Sequence, residues 1–273
     1  MKSTAEKLNE IEQNGYPLDF GEVFNQAFEN YKKIALLVGG ILLVLIFVFT
    51  LLVGSIGGLV FGISNLTTLL TDLKPTSSTS STAIITLLVG VVGAALMAPL
   101  TAGLLKIAHQ AENNQDFGFA TAFDYYKSHY LKEIFTATII LTMLTSGLES
   151  VFNILKESYA TGNLNGLLIF LSFVINVSIG LLTLLTIPLI IFGNLSATAA
   201  IKGSITLVKK RFLVILLLLI VGFVGAFIIG IIALCIGIFF TLPFIYSLEY
   251  IIYRNAMSIE DINELDEIGS SEL

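Results

Sequence analysis

Apolar residues in this chain are gathered into long runs, and most polar residues lie in the connectors between them. The longest run lies within residues 211–254, where no charged residue occurs between Arg211 and Glu249. As one helix it would be roughly 55 Å long, whereas the hydrocarbon core of a bilayer is about 30 Å thick. The run is therefore predicted to form a hairpin of two membrane spans of about 20 residues each, with its turn near Gly225 and Gly230.

Four further spans are predicted from the same pattern. They lie at residues 34–63, 83–105, 134–147 and 167–192. The third is the weakest, because threonine and serine residues interrupt its apolar run. Taken together, the runs predict an all-α polytopic integral membrane protein with about six transmembrane helices, arranged as three hairpins.

The composition agrees with this class of protein. Of the 273 residues, 55% are hydrophobic and 12% are charged, and the mean hydropathy of +0.91 lies above the range of soluble domains. The net charge of −6 reflects the tail, residues 255–273, which holds six Asp and Glu residues and no Lys or Arg. The remainder is neutral overall, so the charge balance predicts no nucleic-acid partner.

Basic residues are distributed unequally among the connectors. Twelve of the 14 Lys and Arg residues lie before the first span, between the second and third, between the fourth and fifth, or after the sixth. By the positive-inside rule these connectors and both termini are predicted to be cytoplasmic. The N-terminal segment, residues 1–19, lacks the short apolar region and small-residue cleavage site of a signal peptide, so none is predicted.

A similar segment precedes each predicted hairpin. Residues 20–33, 119–132 and 196–211 each carry apolar residues at spacings of three and four and have basic residues at their ends. This spacing places the apolar side chains on one face of a helix, with the lysine ammonium groups at the water boundary. Each segment is predicted to be an amphipathic helix that lies in the cytoplasmic interface.

A proline stands at a corresponding place near the end of each hairpin, at Pro99, Pro188 and Pro243. Proline removes a backbone donor and kinks a helix, which a span tolerates when neighbours cover the released carbonyl group. Asn194 and Glu249 each follow their proline by six positions. We predict three parallel repeats, at residues 20–112, 113–195 and 196–254, between a cytoplasmic N-terminal segment (1–19) and an acidic cytoplasmic tail (255–273).

The order of these features resembles bacterial six-span membrane proteins related to the membrane domain of some glycerophosphoryl diester phosphodiesterases. The matching positions are the aromatic segment 24–33, the segment 200–212 and the closing segment 242–254. In the phosphodiesterases the chemistry belongs to a separate soluble domain, and only 19 residues follow Arg254 here. The resemblance therefore implies a protein of the bacterial cytoplasmic (inner) membrane and no diesterase activity.

The sequence contains no constellation typical of an enzyme. His109 and His129 are the only histidines, too few for a membrane di-iron site, and a single metal ion would need a carboxylate from Glu112 or Asp116. The only cysteine is Cys235. A Walker-type phosphate-binding loop and a serine-nucleophile motif are both missing from the sequence. No cofactor is predicted, and enzymatic activity is not expected.

Glu249 is the ionisable residue that the pattern places most clearly within a span. An acid there is a candidate proton or substrate site. Alternatively, it pairs near the membrane boundary with Arg254 or with a tyrosine. The candidate tyrosines are Tyr246, Tyr250 and Tyr253. Separately, the spacing of Gly54, Gly58 and Gly62 allows close helix contact, either within the protein or with the span of a partner.

Two functions remain open. The first is a non-catalytic scaffold or accessory subunit that binds membrane lipids or another integral membrane protein. It is favoured by the lack of catalytic motifs, by the three predicted amphipathic segments and by the small-residue faces of the spans. The alternative is a transporter or channel for a small or lipidic solute that uses the proline-kinked helices and Glu249. The scaffold predicts a stoichiometric partner or lipid, and the transporter predicts a polar cavity that reaches the middle of the membrane.

Overall fold

The computed structural model describes residues 3–61, 80–159, 163–232 and 237–257, and these ranges contain helices and no strand. The α-helices are α1 (Thr4–Asn14), α2 (Phe20–Phe61), α3 (Ser80–Glu112), α4 (Leu131–Tyr159), α5 (Asn163–Leu182), α6 (Thr186–Ile191), α7 (Ala197–Lys210), α8 (Phe212–Ile232), α9 (Gly237–Thr241) and α10 (Pro243–Met257). A 3-10 helix, Phe119–Lys127, connects α3 to α4. The tail from residue 258, Cys235 and most of the connector 64–82 lie outside the described residues.

Five stretches of the described chain are long and apolar enough to cross a membrane. They are Phe20–Leu52, Leu88–Glu112, Leu131–Ser158, Leu164–Ile191 and Phe212–Ile232. The predicted all-α polytopic membrane class is therefore confirmed. The sixth predicted span corresponds to the short helices α9 and α10, which are interrupted at Leu242, directly before Pro243.

The turn predicted near Gly225 and Gly230 is wrong. Both glycines lie inside α8, which continues to Ile232. A Cβ atom at Gly230 would lie 2.6–3.0 Å from atoms of Ile238. The missing side chain therefore serves the close contact between α8 and the returning chain, rather than a turn.

The predicted third span is longer than its apolar run. Helix α4 extends over 29 residues, beyond the predicted 134–147 at both ends. Three of the hydroxyl groups in the run bond to backbone carbonyls four residues earlier in the same helix: Thr136 to Lys132 and Thr138 to Ile134, both at 2.8 Å, and Thr145 to Leu141 at 3.0 Å. A hydroxyl group satisfied in this way does not need water, and the helix continues through it.

The three segments that precede the hairpins take three different forms. The first is not a separate helix. Residues 20–33 continue directly into the first span within α2, because no glycine or proline near Lys33 ends the helix. The second contains the 3-10 helix, which ends at Lys127 with Ser128 in an extended conformation. Only the third forms its own α-helix, α7, and Arg211 leaves the helical conformation at its end.

Most of the buried core lies at one end of the helical bundle, which we call the basic end because it contains Lys106, Arg211 and Arg254. Here α2 packs against α10, the 3-10 helix against α3, and α1 against α7. The largest fully buried side chains include Ile34, Leu104, Leu105, Ile107, Ile134, Leu189 and Leu207. Farther along the spans, many large apolar side chains are exposed.

Helix α1 closes the basic end and was not predicted. Ser3 and Glu6 form a capping box at its start, and it ends at Gly15, whose φ of 74° suits glycine. The Tyr16 hydroxyl group then donates to the carbonyl oxygen of Leu207 in α7, at 3.2 Å. Burial raises the pKa of this tyrosine above its ordinary range. The Ser-x-x-Glu spacing was the signal that could have revealed the helix.

Candidate functional site

Side-chain hydroxyl groups bond to the backbone just before each of the three prolines. Tyr126 donates to the carbonyl oxygen of Leu96, three residues before Pro99, at 2.7 Å. Tyr31 donates to the carbonyl oxygen of Phe240, three residues before Pro243, at 3.0 Å. Proline provides no N–H group and its ring displaces the preceding turn, so carbonyl groups in that turn are open to a side-chain donor.

The break before Pro188 is stabilised in a related way. The Ser204 hydroxyl group donates to the carbonyl oxygen of Leu182 at 2.8 Å and accepts from the backbone N–H of Leu185 at 3.0 Å. Leu185, like Leu96 and Phe240, stands three residues before its proline. The backbone groups released between α5 and α6 are therefore satisfied by α7.

These three contacts connect successive hairpins in a closed order. The hydroxyl group of the second segment (Tyr126) reaches the first hairpin, and that of the third segment (Ser204) reaches the second hairpin. The first segment, through Tyr31, reaches the third hairpin. Each hairpin is thus held at its proline by a segment that belongs to another hairpin.

A buried polar cluster joins α2, α3 and α10 at the basic end. Asn30 is fully buried, and its amide nitrogen donates to the carbonyl oxygen of Ala108 at 2.8 Å and to the Glu112 carboxylate at 3.0 Å. Its amide oxygen accepts a hydrogen bond from the hydroxyl group of Ser247 at 2.8 Å. One side chain therefore connects the first, second and last membrane segments.

Arg254 extends this cluster towards solvent. Its guanidinium group forms an ion pair with Glu112 and donates to the amide oxygen of Gln26 at 2.9 Å. Asn255 donates to the same oxygen at 2.8 Å. The predicted site residue Arg254 is therefore engaged with α2 and α3, and its ion-pair partner is not Glu249.

His109 and the predicted tyrosines of α10 form an aromatic cluster beside it. A ring nitrogen of His109 lies 2.9 Å from the Tyr250 hydroxyl group, and the His109 ring packs 4.9 Å from that of Phe192. Tyr253 also contacts Phe192, with ring centroids 5.6 Å apart. Tyr250 and Tyr253 are both buried, whereas Tyr246 is half-buried.

Glu249 is only 8% exposed. Within residues 3–61, 80–159, 163–232 and 237–257, no hydrogen bond or ion pair to its carboxyl group is formed, although Tyr246 is near enough to interact with it electrostatically. Arg254 and Tyr250 make their polar contacts elsewhere. Among the Asp and Glu residues of the described chain, only Glu249 is buried, and this distinguishes it from the other acids there.

Asn194 has a different environment from Glu249, although each follows its proline by six residues. It is exposed, has a φ of 54°, and ends the turn after α6. Asparagine is among the residues that adopt this left-handed conformation most readily. Its side-chain oxygen accepts a hydrogen bond from the Tyr130 hydroxyl group. The equal spacing from proline therefore does not give the two residues equal surroundings.

Of the predicted glycine series, Gly54 and Gly58 belong to the last turns of α2, and Gly62 lies outside the described residues. Sequence reasoning missed Asn30, Gln26, Glu112 and Ser247 as members of a polar cluster. One signal was available, since Asn30 continues the helical spacing of the buried residues Val23, Ala27 and Ile34. A polar residue on such a stripe requires a buried partner.

The described residues contain no group of three or more His, Cys, Asp or Glu side chains that could hold a metal ion. Comparison of the chain with protein-family models, with curated proteins and with solved structures finds no match. The five long apolar helices of the described chain define its class, an all-α integral membrane protein.

Proposed function

We propose that this protein is a non-catalytic scaffold or accessory subunit that binds other integral membrane proteins or lipids. The proposal rests on one observation: few residues of most membrane spans are buried inside the protein. In the most apolar 18-residue stretches of α4 and of the span containing α5, only 11% of residues are buried, and in α8 the share is 17%. A wide apolar surface is therefore available to lipid or to the span of a partner.

The basic end supports this proposal by providing a rigid base. The cluster around Asn30 joins three membrane segments, and the contacts of Tyr31, Tyr126 and Ser204 join the hairpins in a closed order. Such a base would hold the exposed faces of the hairpins in fixed positions. We further propose that the hairpins are three related units, and the common place of the three contacts, just before each proline, supports this relationship.

Partner binding is tested by replacing Phe173 with a photoreactive phenylalanine analogue in cells. Phe173 lies in α5 and is 64% exposed, whereas the control position, Phe152 in α4, is 6% exposed. We expect a discrete protein adduct, or a lipid retained stoichiometrically after purification in mild detergent, with Phe173 reactive and Phe152 unreactive. Purification of the chain alone under lipid-retaining conditions, with no discrete adduct, contradicts the proposal.

The proposed location is the bacterial cytoplasmic membrane, with both termini in the cytoplasm. The unequal distribution of Lys and Arg supports this orientation. In a Cys235→Ala background, Glu12→Cys and Ser77→Cys place one thiol on each proposed side. A membrane-impermeant maleimide added to intact spheroplasts should label only the Ser77→Cys variant. Labelling of Glu12→Cys instead contradicts the orientation.

Transport is a second candidate function, and the buried Glu249 favours it. A carboxyl group without a described partner is available to bind a proton or a cationic group of a solute. In proteoliposomes, solute-dependent proton uptake should be present with the wild-type chain and absent with Glu249→Gln. Equal uptake by both proteins, or none by either, contradicts a transport role for this residue.

A further inference from the structure

An apolar cleft lies between α2 and α8. Aromatic side chains of α2 form one wall, and small residues of α8 form the other. The lining residues from these helices include Phe24, Phe28, Tyr31, Gly222, Gly225 and Ala226. Phe244 and Thr241 contribute from the chain that returns to the basic end.

The cleft reaches the backbone of α8 at Gly225. No heavy atom of another part of the chain lies within 4 Å of the place where a Cβ atom of Gly225 would stand. At Gly222, one turn earlier, a Cβ atom would lie 2.8 Å from the Phe244 ring, so the Phe244 ring covers the backbone of α8 there. An opening between an aromatic wall and a bare helix backbone suits a chain of methylene groups.

A cation stands at the edge of the cleft. The ammonium group of Lys32 lies 5.6 Å from the centroid of the Phe28 ring, which lines the opening. Lys32 forms an ion pair with Glu29 at 2.6 Å, but the Lys32 and Glu29 side chains remain 51% and 66% exposed. An ammonium group has three N–H donors, so it can contact a phosphate while it retains this ion pair.

We propose that the cleft binds one acyl chain of an anionic glycerophospholipid, whose phosphate contacts Lys32. The apolar walls provide the site for the chain, and the lysine supplies the opposite charge for the headgroup. The inference rests on the proposed function, since it names the lipid that one face of the scaffold holds.

The cleft is tested by filling it. Gly225→Leu introduces a side chain into open space, and Gly147→Leu, on α4, is the matched control because its surroundings are also open. Lipid retention is measured by native mass spectrometry with added phosphatidylglycerol or phosphatidylcholine. We expect Gly225→Leu to weaken phosphatidylglycerol retention about tenfold, a loss of the size expected when an acyl chain is excluded from its contacts. The Gly147→Leu variant should retain lipid as the wild-type chain does.

The headgroup contact is tested with Lys32→Gln, and Lys33→Gln is its neighbour control. Lys33 bonds instead to the carbonyl oxygen of Ala111 and to Asn114. Lys32→Gln should remove the preference for phosphatidylglycerol over phosphatidylcholine, and Lys33→Gln should preserve it. Equal preferences in both variants overturn the assignment of the phosphate to Lys32.

A fluorescence measurement locates the lipid directly, because the chain contains no Trp. Val221→Trp places a single reporter in the cleft wall, and Phe223→Trp places one at another exposed position on α8. In detergent with one equivalent of a phospholipid brominated on its acyl chain, Val221→Trp should be quenched and Phe223→Trp much less. Addition of Gly225→Leu should abolish the difference.

Equal quenching at both positions overturns the cleft assignment, as does equal lipid retention by the Gly225→Leu and Gly147→Leu variants. A protein segment crosslinked in the cleft in place of lipid also overturns it. These outcomes leave the scaffold proposal standing if the Phe173 adduct persists. Failure of the scaffold proposal is recognised separately, by the absence of any stoichiometric partner or lipid.

Discussion

The hydroxyl group of Tyr126 donates a 2.7 Å hydrogen bond to the carbonyl oxygen of Leu96, three residues before Pro99. This bond joins the segment that begins the second hairpin to the turn of helix just before Pro99 in the first. Tyr31 makes the corresponding bond to Phe240, before Pro243. The turns before these prolines are therefore points of contact between hairpins.

Removal of the Tyr126 hydroxyl group should destabilise the basic end. Tyr126→Phe leaves the Leu96 carbonyl group without this donor, and we expect a loss of about 1 kcal/mol in the free energy of unfolding. In a Pro99→Ala background the same substitution should cost less, because a regular helix brings the Leu100 N–H group to the Leu96 carbonyl group. Thermal unfolding of the four proteins in detergent measures the coupling, and strictly additive effects would argue against it.

Gly103 is expected to tolerate no side chain. A Cβ atom there would lie 2.0 Å from the carbonyl oxygen of Ala122, so the backbone of the 3-10 helix would have to move. We expect Gly103→Ala to cost about 2 kcal/mol or more in stability. The measurement is the melting temperature in detergent.

Gly93→Ala is the control on the same helix, because no heavy atom of a neighbouring element lies within 4 Å of the place where its Cβ atom would stand. Alanine has the higher helix propensity, so this variant should be neutral or more stable by about 0.5–1 kcal/mol. If the two alanine variants had the same melting temperature, the close contact between α3 and Ala122 would not contribute to stability.

Asn30 should be the residue of the polar cluster that is most costly to replace. Asn30→Ala removes donors from Glu112 and the Ala108 carbonyl group and an acceptor from Ser247, all partly or fully buried. We expect a loss of about 2–3 kcal/mol. Asn113→Ala is the control, since Asn113 is exposed and should cost less than about 0.5 kcal/mol.

A double-mutant cycle with Ser247→Ala separates this cluster from general packing. If the Asn30–Ser247 hydrogen bond is the connection, Ser247→Ala should cost much less in the Asn30→Ala background than in the wild-type chain. Chemical denaturation in mixed micelles provides the four free energies. Equal costs in both backgrounds would show that the two residues do not act together.

The spans could be predicted from the sequence because a bilayer imposes one requirement on every residue of a span. Apolar runs of sufficient length indicate helices whatever their partners. The turn after α8 could not be placed in this way, because Gly225 and Gly230 look like turn residues until the chain that packs on α8 is known. The continuity of α2 through Lys33 depends on the local sequence. The lack of a helix-breaking residue before Ile34 could have predicted it.

The candidate site was less predictable, because its contacts join residues that are distant in the chain. Ser247 and Asn30 are 217 positions apart, and Arg254 and Glu112 are 142 apart. Hydropathy identifies neither pair. Glu249 was recognised as unusual from its position in an apolar run, but the engagement of Arg254 and Tyr250 in other contacts is a property of the packed structure.

Alkaline pH should release the 3-10 helix from the basic end. Burial, followed by the nearby Tyr130 and Asp124, raises the pKa of Tyr125 from its ordinary value of 10.0 to about 12. A tyrosine whose folded-state pKa is raised favours folding fully below pH 10.0 and loses this contribution as the pH rises through about 12. The melting temperature should therefore fall between these two values of pH.

Tyr125→Phe distinguishes this titration from the deprotonation of lysines, which occurs over a similar range. Phenylalanine keeps the buried ring and has no ionisable group, so the variant should lose less stability than the wild-type chain between pH 10.0 and about 12. Tyrosinate absorbance, followed in parallel, should show one late-titrating tyrosine fewer in the variant. Identical pH profiles for the two proteins would place the alkaline transition elsewhere, since Tyr125 would then ionise without loss of its contacts.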